Sequence, residues 1–406
     1  MPKSPGETAH LGELSDEALV TEVARTIGRP LIDVPANRSS FVLHAPLELM
    51  ARAELLAFVE PGHRDAARTR IAEVATGYLA SGTPVPEPAG SVAGARELAE
   101  AIDSGDVDRV DRAAVTVGTT LGPEQLRAQL TDAVVARLGA AGHATIYLSL
   151  LGRTRPRGFE GMLLRPVARE LALEHELRLT LPRRTVVDDP DGSLTDGLAA
   201  VLASVASCGP SPSAFIAPTL LHAERSGTYD LLLKDGVFAA PAQTPHRLLR
   251  VAAATMLQGR HEVAPYGWSH CLTLSQAPLQ LAGVAQDPAA CAYVAAAQIA
   301  AHWAADGEGV LDIDRRPGPP EPGSDLESAL HGTPAHAAAA AWHHRDPPTV
   351  ATRLATLASL GHDAHRVKYT LACLDAAAVD PGGRPSYLAA AAHLCAWWED
   401  HPDVDF

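Results

Sequence analysis

The chain has 406 residues and a formal net charge of -15 at pH 7. This length is enough for one large hydrophobic core or for two. The acidic balance and the lack of a basic run argue against nucleic acid or an anionic membrane surface as the main partner.

Alanine and leucine dominate the sequence, aromatic residues are few, and most apolar residues recur at helical spacing. We therefore expect an all-α protein, a bundle-like single domain of many helices joined by long loops. Residues 1–36 form a tail and a first helix, 37–305 the main body, 306–335 an acidic loop rich in proline and glycine, and 336–406 the C-terminal helices of the same domain.

The first predicted helix runs from Asp16 to Ile27, before Arg29-Pro30. Pro46 suits a first helical turn, so His44 is predicted to lie at a helix entrance. Further helices are expected over 64–81, 92–104 and 107–118.

The next helix opens at Gly122-Pro123 and ends before Gly142. His143 then stands at the mouth of an apolar run to Leu151, which we interpret as a helix rather than a buried strand. A basic loop over 153–157 follows.

A helix over 159–178 is predicted to carry Arg165, Arg169 and Glu170 on its polar side. Farther on, residues 229–238 could form a minor β-hairpin about Asp235-Gly236.

Ser269 is a plausible cap that places His270 at a third helix entrance, and Pro278 should kink or end that helix. Gly361 and Asp363 fit the end of one helix and the cap of the next. His365 and Lys368 share one face of this last helix, whose only charge between Tyr369 and Val379 is Asp375. Such a helix should be packed on several sides.

The five cysteines are scattered singly, which indicates reduced thiols rather than a disulfide framework. The N-terminus lacks the apolar segment of a secretory signal, and the most apolar stretch, Ala289 to Ala305, is too short to span a bilayer. We expect a soluble cytoplasmic protein, and the sequence leaves its oligomeric state open.

Histidines at the starts of apolar helices, His44, His143, His270 and His365, suggest a metal site at which separate helices converge. A buried Lys368 would tend to lose its proton, and a neutral amine can take up carbon dioxide to give a carbamate, a carboxylate-like ligand. The alternative is that Lys368 extends to solvent and that His365 is an ordinary polar residue.

Four motifs occur in an order that resembles the questin oxidase-like family, from about residue 37 to the final helix. These motifs are Leu43–Leu49, Gly122–Arg153, Trp268–Thr273 and Asp363–Lys368.

The resemblance implies a helical non-heme iron oxygenase that acts with O2 on an anthraquinone-like aromatic polyketide, by Baeyer–Villiger-type insertion or by ring cleavage. It implies Fe2+ bound by His44, His143, His270 and His365 and by a carboxylated Lys368. Residues 144–147 depart from the family pattern, so Glu160 and His222 are alternatives to His143.

Lys368 is the predicted catalytic group, and its carbamate could release the iron during the reaction. Tyr266, with Tyr147 and Trp268, is a candidate lining residue of an aromatic pocket, and we also place Tyr266 among the candidate catalytic residues. Arg153, Arg157 and Arg165 could hold a phenolate or carboxylate.

No nucleotide-binding motif is present, so whether NADPH supplies electrons stays open. Two other functions compete with the oxygenase: a zinc or nickel hydrolase with a carbamylated lysine, for which Asp363 or Asp375 would orient water, and a non-catalytic helical binding protein.

Overall fold

A computed structural model describes residues 14–89, 93–152, 158–181, 202–203, 205, 215–234, 244–259, 266–307 and 309–401. The prediction of an all-α fold is confirmed. In the described residues, β-structure is limited to two antiparallel two-residue strands, β1 (Leu31–Ile32) and β2 (Thr83–Pro84), with Leu31 opposite Pro84. The predicted hairpin is wrong where it is described, because Thr228–Lys234 is helical; residues 235–238 lie outside the described chain.

The chain divides into two compact units, the first of which comprises the described residues of Met1–Arg178 and Ala355–Lys368. Its core consists of helices, with 3-10 segments at Pro61–His63, Gly139–Gly142 and Glu160–Leu163. The helices are α1 (Asp16–Ile27), α2 (Ala36–Leu55), α3 (Arg64–Leu79), α4 (Ala95–Ser104), α5 (Val107–Thr120), α6 (Pro123–Val134), α7 (His143–Leu150) and α8 (Leu164–Leu173).

Amphipathic patterning explains how these helices pack. Helix α1 begins at the predicted residue, where the Ser15 hydroxyl accepts a hydrogen bond from the Ala18 amide, and it buries Leu19, Val23 and Ile27. Helix α1 packs against α2 and α3, α2 also packs against α7, and α5 packs against α8. Together these contacts hold α2 in the interior of the first unit.

A buried ion-pair group replaces the polar helix face that the sequence suggested for residues 159–178. Arg165 is buried and donates to Asp111 at 3.0 Å, while Arg169 donates to the same carboxylate oxygen at 2.7 Å. Arg165 also donates to the carbonyl of Pro86 at 2.8 Å. These interactions commit its guanidinium to α5 and to the loop after β2, so the suggested role in holding a substrate anion is not supported.

The second unit comprises the described residues of Leu179–Leu354 and Tyr369–Asp403. Within it α15 packs against α18, and α11, α12 and α13 pack against one another. From α9 onward the helices are α9 (Ile216–Arg225), α10 (Thr228–Lys234), α11 (Thr244–Gln258), α12 (Tyr266–Leu281), α13 (Pro288–Asp306), α14 (Leu326–Leu330), α15 (Pro334–His343), α16 (Pro347–Leu360), α17 (Ala364–Val379) and α18 (Arg384–Asp400). Residues 355–368 of α16, α17 and their connection belong to the first unit.

Small side chains allow the helices of the second unit to approach closely. The buried residues of α15 are all alanine, and the buried face of α18 includes the run Ala389 to Ala392. In α12, Pro278 lies inside the helix, so of the two predicted outcomes, a kink or a helix end, the helix end is wrong. The four cysteines in the described residues, Cys271, Cys291, Cys373 and Cys395, are free and buried, as expected. None of the helices in the described ranges combines the length and the apolarity needed to cross a bilayer.

The burial of His302 in this core predicts how the stability of the protein depends on pH. It is fully buried in α13, its Nδ1 donates to the Gln298 carbonyl at 2.8 Å, and burial lowers its pKa from 6.5 to about 4. The folded protein disfavours the charged ring, whereas the unfolded chain can protonate it. The contribution of the neutral His302 ring to the free energy of unfolding is therefore complete above pH 6.5 and is lost as the pH falls toward 4. We expect the free energy of unfolding to fall by roughly 3 kcal/mol over that interval on account of His302.

Urea unfolding of the wild type and of His302→Gln across this pH range measures the effect. The variant should lose that part of the pH dependence, whereas His343→Gln, at an exposed position, should keep it. Parallel pH profiles for the wild type and His302→Gln would contradict the assignment.

Candidate metal centre

Helix α2 presents His44, Glu48 and Arg52 on one face at intervals of four residues, and all three side chains are buried. The prediction that His44 lies at a helix entrance is wrong, since α2 begins at Ala36 and continues through Pro46. An internal proline costs a backbone hydrogen bond. Burial of the helix from His44 onward offsets that cost.

The hydrogen bond of His44 determines which ring nitrogen can bind a metal. Its Nδ1 lies 2.6 Å from the carbonyl oxygen of Ser40, which can only accept, so Nδ1 carries the proton. In the neutral ring, Nε2 then bears the lone pair that a metal requires. Burial lowers the pKa of His44 well below its ordinary value, and Lys368 and His365 lower it further, which keeps the ring neutral at pH 7.

His143 begins helix α7, as predicted, and a left-handed turn precedes it. Ala140, Ala141 and Gly142 have φ angles of 54°, 50° and 74°. For the two alanines this conformation costs on the order of 1–3 kcal/mol each. The carboxylate of Glu174 accepts a hydrogen bond from the Ala140 amide at 2.8 Å and so supports the turn. The result is an abrupt start to α7 with the His143 ring buried.

Asp363 performs two tasks at the start of α17. One carboxylate oxygen accepts from the amides of His365 and Arg366 at 2.7 and 3.1 Å, which confirms the predicted cap. The same oxygen lies 3.2 Å from His365 Nδ1, so the ring donates there and presents Nε2 as its basic nitrogen. Burial would raise the pKa of Asp363, but His365 and the two amides together lower it. A carboxylate behind an imidazole is the usual support of a metal-binding histidine.

Lys368 is 4 % exposed, which contradicts the alternative in which it extends to solvent. Its Nζ lies 3.4 Å from Nε2 of His143, at the long end of a hydrogen bond. Burial lowers the pKa of Lys368 to about 7, although Asp363 and Glu48 oppose the shift. A substantial fraction of this amine is therefore uncharged at neutral pH.

Three of the four predicted imidazoles form a group that could hold a metal ion in the described residues, and the fourth, His365, lies beside His44 but is not a member of that group. The ring centroid of His44 lies 4.5 Å from that of His143 and 4.4 Å from that of His365. His44, His143 and His270 are buried, and one nitrogen from each lies within 4.8 Å of one nitrogen of the others, an arrangement that could hold a metal ion. We refer to His44, His143, His270 and His365 as the histidine cluster.

The donor set fits a metal. Neutral imidazoles are ligands for iron, copper, zinc and nickel, and two of these rings have their Nδ1 protons directed to a carbonyl and a carboxylate. Neither Glu160 nor His222 belongs to the three-histidine group in the described residues. His143 therefore occupies the position for which they were alternatives. The identity of the metal does not follow from this geometry.

The remaining predicted site residues divide into three groups. Tyr147 is buried and donates to the Glu160 carbonyl at 2.7 Å, which is core packing with a satisfied hydroxyl. Tyr266 and Trp268 lie in α12, but their side chains are outside the described residues. Arg153 and Arg157 lie outside the described residues altogether. Their predicted roles stay predictions.

The sequence did not predict that Arg52 fixes the start of α17 through a set of hydrogen bonds, which we call the Arg52 clamp. Arg52 donates to Glu48 at 2.7 Å and to the carbonyls of Ser359 and Gly361 at 2.8 and 2.7 Å. It thereby ties the helix of His44 to the connection that leads into Asp363 and His365. The repeat of His44, Glu48 and Arg52 at intervals of four would have revealed this face, had the helix been extended through Pro46.

A cavity of about 100 Å³ lies beside the cluster within the first unit, and His143 forms part of its wall. Residues of α2 and α8 form most of the remainder, together with Tyr78 and the segment around β1. A ligand pocket for a drug-sized molecule has roughly 300–1,000 Å³. This cavity is therefore too small for an anthraquinone.

No family model, curated protein or solved structure matches the chain.

Asp363 caps α17 and also orients His365, and two substitutions at this position distinguish these two roles. Asp363→Ala should weaken metal binding by roughly 10–100-fold, because His365 loses the acceptor that orients it. It should also cost about 1 kcal/mol of unfolding free energy through loss of the cap. Asp363→Asn keeps the cap and should unfold like the wild type, yet bind metal more weakly because the acceptor is uncharged.

Chelator competition and urea unfolding provide the two measurements. Unchanged metal affinity in Asp363→Ala would show that His365 does not bind the metal.

Proposed function

We propose that the protein is a non-heme iron oxygenase that uses O2 on an aromatic, polyketide-type substrate. One observation carries this proposal: buried neutral imidazoles from separate helices converge with a single buried lysine. The order of the motifs, which resembles the questin oxidase-like family, supports iron and an aromatic substrate over other metals and substrates.

In this proposal His44, His143, His270 and His365 hold the metal, and bound ferrous iron supplies the activation of O2. The residues of the chain keep the site dry and orient the ligands. Ser40 and Asp363 accept the Nδ1 protons of His44 and His365 and direct their Nε2 atoms to the ion. Because the ligands are buried, water competes little for the coordination positions of a bound ion.

Lys368 supplies the oxygen ligand as a carbamate. Its neutral nitrogen bonds to the carbon of CO2 and loses one proton to solvent, which leaves an anionic pair of oxygens on the former amine. The amine lies 3.4 Å from His143 Nε2, which supports a carbamate that would lie next to the imidazoles. A negatively charged ligand would offset the charge of a buried Fe2+.

The competing hydrolase requires a free carboxylate to orient water. Asp363 already accepts hydrogen bonds from two amides and from His365. This arrangement favours a structural role for Asp363 over the water-orienting role that the hydrolase would give it.

The test is elemental analysis of protein purified without added metal, followed by measurement of O2 uptake with anthraquinone substrates after loading with Fe2+. We expect iron to bind and uptake to depend on both iron and substrate. Zinc at full occupancy, with hydrolysis and no O2 uptake, would refute the oxygenase.

His302→Gln is a matched control for His44→Gln. Each histidine is buried and donates from Nδ1 to the carbonyl four residues earlier in its helix. Only His44→Gln should lose iron. Equal iron content in the two variants would refute the proposed ligand set.

A further inference from the structure

The cavity beside His143 is small, is lined mainly by aliphatic side chains and is partly open to solvent on the side of Ser39, which is exposed. Its volume of about 100 Å³ corresponds to roughly three water molecules at 30 Å³ each. The aliphatic side chains in its wall include Leu31, Val34, Val42, Leu43, Pro46 and Val167.

The polar groups at this cavity are few. The hydroxyl of Tyr78 donates to the Arg29 carbonyl at 3.1 Å, so it is already engaged. Burial raises the pKa of Glu170 and the neighbouring Glu174 raises it further, while Arg169 lowers it. Ser39 and His143 complete the polar part of the wall. Such a lining favours a small molecule of low polarity over an ion.

The position of His143 connects the cavity to the metal site. The ring forms part of the cavity wall, its Nε2 lies 3.4 Å from Lys368, and its centroid is 4.5 Å from that of His44. A molecule in the cavity therefore lies against a proposed ligand of the metal. An aromatic polyketide would have to approach from elsewhere.

We propose that this cavity binds dioxygen and delivers it to the His143 side of the metal site. The inference rests on the proposed function. It adds a separate location for the gas, distinct from the place where the aromatic substrate binds. Xenon binds in small apolar cavities, so it serves as a probe of the gas site that needs neither metal nor turnover.

The experiment combines xenon-pressurised crystals with oxygen kinetics. Val42 is half-buried, so Val42→Phe can fill the cavity with little disturbance of the core. We expect xenon in the cavity of the wild type and not in Val42→Phe. The variant should retain iron and show a roughly tenfold lower kcat/KM for O2, with the KM for the aromatic substrate unchanged.

Val115→Phe is the control, because Val115 is also half-buried in a helix of the same unit but is not part of the cavity wall. It should resemble the wild type in both measurements. Ordered water in the cavity without xenon would overturn the inference, as would an unchanged kcat/KM for O2 in a Val42→Phe protein that excludes xenon. Xenon binding without any iron-dependent O2 uptake would instead refute the proposed function.

Discussion

Replacing Lys368 by methionine is expected to abolish iron-dependent O2 uptake while leaving the fold intact. Methionine has a similar length and is apolar, so it fits a site that is 4 % exposed without the cost of burying an amine. The loss of activity should exceed the roughly 10–100-fold that follows from removing a supporting partner of a metal ligand. Iron content, O2 uptake and urea unfolding are the measurements.

A second set of measurements tests the carbamate itself. Lys3, Lys234 and Lys368 are the lysines of the chain, so a carbamate signal from 13C-labelled bicarbonate has few possible origins. The signal should disappear in Lys368→Ala and persist in Lys234→Met. Propionate or another short carboxylic acid should restore part of the activity of Lys368→Ala by supplying the missing oxygens. Full activity in Lys368→Met would show that the carbamate hypothesis is wrong.

Helical periodicity and capping residues predicted much of the fold. Asp16–Ile27 is a helix with the expected bounds, and α7 and α17 begin at or next to the expected residues. The predictions for Asp16–Ile27 and α17 succeed because Ser15 and Asp363 satisfy helix amides locally, so the signal lies within a few residues. The all-α class follows from the same local signals.

Prolines inside helices caused the main errors. The sequence predicts a helix start at Pro46 and a kink or a helix end at Pro278, yet both prolines lie within helices that continue past them. The local cost of an internal proline is a lost hydrogen bond and a steric clash. Burial of a long apolar helix outweighs this cost, and such burial is a tertiary effect that a short stretch of sequence does not reveal.

The candidate ligands of the site could be predicted from the sequence, but the groups that orient these ligands could not. Histidines near apolar helices and a lysine in an apolar segment are visible in the sequence. The acceptor behind His44 is a backbone carbonyl, which has no sequence signature. The clamp from Arg52 to residues 359 and 361 joins positions about three hundred residues apart, and no spacing rule reaches that far.

Replacing Arg52 by methionine is expected to lower the free energy of unfolding by about 3–5 kcal/mol, because it leaves Glu48 as a buried carboxylate without its partner. The carbonyls of Ser359 and Gly361 lose their donors at the same time. Since these carbonyls precede Asp363 by only a few residues, the connection to α17 should loosen and iron affinity should fall as well. Urea unfolding and chelator competition measure the two effects.

The double variant Glu48→Met/Arg52→Met separates the two causes. Removing both charges should restore part of the unfolding free energy, since no unpaired charge remains buried. It should not restore iron affinity, because the carbonyls that Arg52 held stay without their donor. Arg96→Met, whose side chain is 93 % exposed, should change stability by no more than about 0.5 kcal/mol. If Arg52→Met unfolds like Arg96→Met and keeps its iron, Arg52 does not hold α17 in place, and the position of His365 must depend on Asp363 alone.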